Sequence, residues 1–358
     1  MSFLSRIALG VLISFAFTGA RATASEHETR VAVLPFANYA EVPNAMPLVM
    51  DAVMQELSHR DVDLVTSDAV AQVLRKYRIR NTNEISVEQL QNLSQDLAVG
   101  FVLIGALDRY TATDEGAEIA LTARLLDVST AKIEWISTSA IHSSDGIRPL
   151  DLGPSKAAAS NLRRAVKSLF KDFRYERSNK SKLVQAVKLR EGKSSYSLPC
   201  QSLLVLPFNN ETDVHHAGNI VSQRVLAALF HEGFTIADPG RVREAMLQDG
   251  DLTPGKATDS LLAICREQTN TDLVLTGTVS QMSAGADVNI EAVPEVAVEV
   301  RLIDVHTTDV IWAKTFYASG NDGALLFGTG TMHGVGTVID HLSAKLADSI
   351  PVRKARKV

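Results

Sequence analysis

Several stretches of this chain are written twice in nearly the same letters. VAVLPFAN at residues 31–38 returns as LLVLPFNN at residues 203–210, and GFVLIG at 100–105 returns as DLVLTG at 272–277. LTARLLDVSTAKIEW at 121–135 returns as VEVRLIDVHTTDVIW at 298–312. The offset is 172 residues from Pro35/Pro207 to Gly105/Gly277, and 177 from Asp127/Asp304 through Trp135/Trp312 to Gly153/Gly330. Two copies of one unit, differing by five residues in one hairpin, give that register. With 358 residues the chain has room for two units of about 150 residues, each able to bury a core. The repeat therefore limits the chain to one small architecture used twice.

Within a copy the hydrophobic pattern sets the order of elements. Val31, Ala32, Val33 and Leu34 form a short strand closed by Pro35, which cannot donate to a ladder. Met46, Val49, Val53, Met54 and Leu57 recur at helical spacing, and residues 62–65 read as a second strand. Thr66, Ser67 or Asp68 can cap a helix striped with Val70, Val73, Leu74 and Tyr77, and Ser86 caps another that turns Leu90, Leu93 and Leu97 inward. A buried strand at 100–107, a hairpin at 117–127 and 132–140, and a long helix at 153–173 complete the copy. The second copy repeats the order β-α-β-α-α-β-β-β-α. Alternation puts Ile119, Leu121, Ala123 and Leu125, and equally Val296, Val298, Val300 and Leu302, on one sheet face. The opposite face carries Thr122 and Arg124, or Glu299 and Arg301, and is expected to be wet or to dock something. The fold class is thus α/β, an α+β sandwich of two similar domains with helices on one side of a mixed sheet.

The expected divisions are a signal peptide at 1–24, a first domain at 28–174, a basic polar linker at 175–199, a second domain at 200–350 and a basic tail at 351–358. Arg6 followed by the 11 apolar residues 7–17 and by Ala22-Thr23-Ala24 reads as a cleavable export signal. Nothing later reaches the length of a membrane-spanning helix. No cysteine follows the apolar run, so the expectation is a periplasmic protein that is not a lipoprotein. A net charge of -5 gives nucleic acid no electrostatic purchase. The basic residues gathered in the linker and tail leave peripheral contact with an anionic membrane or cell-wall polymer open. Cys200 and Cys265 could pair in an oxidising compartment, but Cys265 occupies the slot of Leu93, an apolar helix position that favours a buried thiol.

The repeated residues resemble the superfamily that includes the curli-secretion lipoprotein CsgG, the penicillin-binding-protein activator LpoB and the amino-terminal domain of TolB. Its pattern is a V-x-V-L-P-F-x-N strand, a D-(Y/L)-V-L-x-G strand and a hairpin reading R-L-(I/V)-D-x-x-T-G-x-x-x-W. Here these are residues 31–38 and 203–210, 101–105 and 272–277, and 124–135 and 301–312. The resemblance covers nearly all of both copies, and it implies non-enzymatic envelope proteins that bind other proteins, some of them secretion channels. Where the pattern has the hairpin glycine, the expectation places Ala131 and Asp309. The loops at 37–45, 78–86, 141–153 and 280–294 are too short or too polar to supply membrane-spanning hairpins.

No residue is expected to be catalytic, to bind a cofactor or to hold a metal. The run 328–336 (GTGTMHGVG) has His333 where a dinucleotide loop needs glycine, and no Walker lysine follows. Close packing of a helix start accounts for it and for the aligned GPSKAAAS at 153–160. His215 and His216 are adjacent loop residues, with only Glu211 and Asp213 nearby as further ligands. Asp127 and Asp304 end equivalent strands, where Asp favours turns. Trp135 and Trp312 are expected to anchor a core. The functional expectation is an exported, soluble, non-enzymatic envelope adaptor that binds protein partners through two linked units. The alternatives are a ring-forming accessory subunit of an outer-membrane secretion or surface-assembly system, a homo-oligomer, or a regulator of cell-wall synthases.

Overall fold

The computed structural model describes residues 29–112, 116–144, 158–173, 202–249, 255–284, 286–287, 290–291, 293–324 and 330–351. The expected signal peptide, the linker, Cys200 and the tail at 352–358 lie outside them. In the first half the elements are β1 (Val31–Val33), β2 (Ala37–Asn38), α1 (Ala45–Ser58), α2 (Ser67–Lys76), α3 (Val87–Leu97), β3 (Phe101–Ala112), β4 (Ala117–Asp127), β5 (Lys132–His142) and α4 (Ala158–Leu169). In the second half they are β6 (Leu203–Val205), β7 (Asn209–Asn210), α5 (Ala217–His231), β8 (Ile236–Ala237), α6 (Gly240–Asp249), α7 (Asp259–Thr269) and β9 (Leu273–Ser283). After these come β10 (Ala286–Asp287), β11 (Ile290–Glu291), β12 (Glu295–Asp304), β13 (Val310–Ser319), a 3-10 turn (Gly320–Gly323) and α8 (Val335–Ser349).

The mixed α/β class stands, with one difference in layering. Helices cover both faces of the sheet. α1 and α4 bring Val49, Val53, Leu57, Leu162 and Val166 onto Val31, Val33, Leu103, Leu121 and Leu125. α2 and α3 bring Val70, Leu74, Leu90 and Leu93 onto Ala32, Leu34, Val102, Ile104 and Leu126. Neighbouring strand residues point to opposite faces, so these two sets lie on opposite sides. The reason is visible in residues 31–34, apolar at every position, which is the pattern of a strand covered on both sides rather than one. In the second half α5 and α8 share a cluster with Leu203, Val205, Val298 and Val300. α6 and α7 place Val242, Leu261 and Cys265 against Leu204, Leu206 and Val274.

The caps follow the local chemistry. Thr66 accepts from the Ala69 amide at 3.4 Å. Ser86 and Gln89 form a reciprocal capping box at the start of α3. Pro35 interrupts the first strand without ending the pairing, because β2 rejoins β3 at Ala37 opposite Ala106. The expected strand at 62–65 is reduced to a single bridge, Leu64 beside Val31.

One sheet runs through both halves in the order β1-β3-β4-β5-β8-β6-β9-β12-β13, with β2 and β7 pairing onto β3 and β9. β5 meets β8 antiparallel at Lys132 opposite Ala237. One apolar cluster likewise contains Leu93 and Ile136 from the first half with Val225 and Leu342 from the second.

Candidate functional site

The two halves meet across the polar face of β4 and β5, where the alternation predicts a surface that is wet or docks something. In the first half it docks the helices α5 and α8 of the second. Gly336 lies so close that a Cβ there would stand 2.9 Å from the Cβ atoms of both Ala120 and Ala140. The Gly336 amide donates to Glu118 Oε1 at 3.0 Å. The glycine-rich run before α8 therefore serves close packing of a helix start, as expected, and the surface it packs on belongs to the other half.

Two arginines are buried in this junction. Arg224 on α5 donates through Nε to Asp108 Oδ2 at 3.0 Å and through Nη1 to Asp340 Oδ1 at 2.7 Å. Its Nη2 reaches the Ser139 carbonyl at 3.2 Å, and Thr122 Oγ1 donates to Asp108 Oδ2 at 2.7 Å. Burial opposes the charge on this guanidinium, but Asp340 and Asp108 outweigh burial and hold its pKa above the ordinary value. Burial in turn pushes the Asp108 carboxyl up, against the pull of Arg224. Arg124 on β4 donates to Asp238 Oδ2 at 2.6 Å and to the Asn83 carbonyl at 2.5 Å. Removing two such charges from water costs several kcal/mol per ion unless the remaining donors are matched, and here carbonyls and carboxylates match them.

Nearer the surface a cleft of about 410 Å³ opens between the halves, lined by Tyr39, Glu41, Asp108, Arg109, Tyr110 and His215 among others. At its rim His215 Nδ1 stands 2.9 Å from Glu41 Oε1. The hydrogen bond to His215 lowers the Glu41 carboxyl, and the same contact raises His215. Tyr39 takes a hydrogen bond from Asn83 Nδ2 at 2.9 Å, and burial, with Glu84 beside it, pushes its hydroxyl up to about 12. Arg243 bridges to Glu84 at 2.9 Å. His215 and His216 thus face the first half, and among the described residues no group of His, Cys, Asp or Glu could hold a metal ion.

The other singled-out residues fall into structural places. Asp127 Oδ1 accepts from the amides of Ser129 and Thr130 at 2.8 and 2.9 Å, and Asp304 Oδ1 accepts from His306 at 2.8 Å. Both are turn residues. The left-handed hairpin position is taken by Ala131 at φ 50° and by Thr308 at φ 61°. Thr308, not Asp309, is the residue 177 positions after Ala131, which corrects the expectation. Trp135 stacks on Phe170 at 5.5 Å and meets Phe173 edge-on. Trp312 lies partly buried beside Phe316. Cys265 is buried with a free thiol, which burial raises to about 12.

In the second half the matching sheet face is open. Glu299, Arg301, Ala313, Thr315 and Tyr317 are exposed, Tyr317 to 51%. Sequence reasoning missed Arg224, Asp108, Asp238 and Asp340. The signal was present as a broken repeat, since Arg224 stands where the first copy has Ala52, and Asp108 where the second has Ser280.

Residues 193–353, less than half of the chain, match the family described as "Putative lipoprotein GNA1162-like". No curated protein matches the chain. Among solved structures, the PelC dodecamer from Paraburkholderia phytofirmans is 22% identical over 45% of this chain and 95% of that one, with a TM-score of 0.32. Lipoprotein GNA1162 from Neisseria meningitidis is 17% identical over 35% and 87%, with a TM-score of 0.29. The LpoB C-terminal domain from Salmonella enterica is 25% identical over 34% and 84%, with a TM-score of 0.26. The lipoprotein description of the matching family overturns the expectation of a periplasmic protein that is not a lipoprotein. That expectation leaned on a missing thiol near the start of the sequence, and an absence there has no weight against a positive match elsewhere. Among the described residues no helix is long and apolar enough to cross a membrane.

Proposed function

We propose that this chain is a cell-envelope protein that works by holding other proteins rather than by catalysis, built from a duplicated unit of the LpoB-like kind. The carrying observation is the docking of α5 and α8 on the polar face of β4 and β5. It demonstrates inside one molecule that this face binds a helix pair, while the same face of β12 and β13 stands exposed. The buried charges of the junction support a binding role, because Arg224 is paired with Asp108 and Arg124 with Asp238 of the other half, and the remaining donors are taken by Asp340 and by carbonyls. The match of residues 193–353 supports the envelope setting.

The test is capture from a detergent-solubilised envelope fraction by the tagged full chain, with mass spectrometry of what is retained. A specific partner whose recovery drops with Tyr317→Asp supports the reading. Recovery of nothing beyond the background of an unrelated bait overturns it. A second reading, regulation of a cell-wall synthase, is favoured by the resemblance to the activator branch. It is checked by adding the purified protein to a glycan-polymerisation assay, where an unchanged rate removes it.

A further inference from the structure

We infer that the open face of β12 and β13 receives the α1–α4 face of a second copy of this chain, repeating between molecules the contact that the halves make within one. This rests on the protein-binding reading and names the partner of that face. The sheet ends at β13 on one side and at the Leu64 bridge on the other. Inside the molecule the junction is head-to-tail, β5 of the first half meeting β8 of the second. A head-to-tail contact leaves both of its surfaces unused at the ends, so it can recur and give rings or filaments.

The repeat offsets say which residues would meet. Ile220, 3% exposed in the junction, corresponds to Leu48 on α1, which is 54% exposed. Gln223 lines a small pocket with Arg124. Their counterparts are Asp51 and Arg301, both exposed and of opposite charge. Asp340 takes a hydrogen bond from Thr138 at 3.1 Å, and Thr138 is the ladder partner of Thr122. The counterparts are Arg163 on α4, facing Thr315 and its ladder partner Glu299. Arg163 and Glu299 are again exposed and opposite in charge. Glu299 and Arg301, the two exposed charges of the open sheet face, thus each meet an opposite charge on the helix face of the next molecule. The buried cluster of Arg224 is not repeated, since its counterparts are Ala52 and Ser280. The contact between molecules is therefore the weaker of the two, and reversible.

Light scattering coupled to gel filtration on the full chain, over a range of loading concentrations, is the test. The mass is expected to rise with concentration to multiples of the monomer. Arg301→Asp and Asp51→Arg are each expected to weaken association about tenfold, and combining them to restore it, as coupled charge pairs do. All these positions are exposed, and circular dichroism of each variant verifies that it is folded. A monomer at every concentration overturns the inference, as does self-association that the single reversals leave unchanged or that the double variant fails to restore. A persistent monomer that still captures a foreign partner sinks this inference and leaves the protein-binding reading standing. A chain that self-associates through this face and captures nothing else does the reverse.

Discussion

Thr308 stands at φ 61° in the β12–β13 turn, a region that costs an L side chain roughly 1–2 kcal/mol and suits a β-branched one least. Thr308→Gly is expected to raise stability by about 1 kcal/mol, the strain relieved less the added freedom of the unfolded chain. A urea midpoint that falls instead would show that the threonine side chain is used. The opposite sign is expected at Arg224. Arg224→Met leaves Asp108, with a side chain 1% exposed, without its counter-charge, and breaking a buried pair costs about 3–5 kcal/mol. Chemical denaturation measures it, and a loss under about 1 kcal/mol would place the stabilisation of the junction in its apolar contacts instead. At this scale the sequence is legible where chemistry is local. The Asp127 and Asp304 turns and the Ser86 cap follow from neighbours within a few positions, and the burial of Cys265 from the apolar helix slot it shares with Leu93 of the other copy. Arg224 is not legible, because its partners Asp108 and Asp340 are each 116 residues away along the chain.

Among the elements, the hairpins and most helices match the pattern closely, since each has a long apolar stripe or an alternating face, while α4 stops at Leu169 instead of 173. The shortest strands do not. The run 62–65 makes one bridge, and its counterpart β8 is held on both sides by β5 and β6. Pairing of a two-residue strand is decided by its neighbours rather than its own letters. The pattern marks the polar face of β4 and β5 only as wet or docking, and which of the two it is, and what docks there, depend on tertiary placement. The end of α5 gives that docking a pH dependence. Burial lowers the pKa of His231 from the ordinary 6.5, against the opposing pulls of Asp172 and the Ile136 backbone. A histidine depressed in the fold is protonated more readily when unfolded, so stability is lost as pH falls below about 6.5. His215 has the opposite sign, raised by Glu41, but that pair is exposed and screened. Comparing urea midpoints at pH 7 and pH 5 in the parent and in His231→Gln isolates the term, and the variant is expected to show the smaller drop. Equal drops would remove His231 from the account.

For the whole molecule, a duplicated sequence would ordinarily suggest two bodies that unfold independently. Here one sheet and one apolar cluster cross from half to half, and two buried arginines are partnered across the junction. Opening it breaks the Arg124–Asp238 and Arg224–Asp108 pairs and uncovers the shared apolar cluster, so partial unfolding of either half costs the other its stability. The chain has two tryptophans, Trp135 in β5 and Trp312 in β13, and each reports on one half. In the single-tryptophan variants Trp135→Phe and Trp312→Phe, fluorescence is expected to follow the same urea transition as circular dichroism, with coincident midpoints. Adding Arg224→Met should move both midpoints down together, because the arginine belongs to the junction and not to one half. Two separated midpoints, or a shift confined to the tryptophan of one half, would mean that the junction is a surface contact between self-sufficient units. Protein binding at β12 and β13 would then be felt in the second half alone. With coupled halves, a partner seated on that open face stabilises the cleft at Tyr39 and His215 as well.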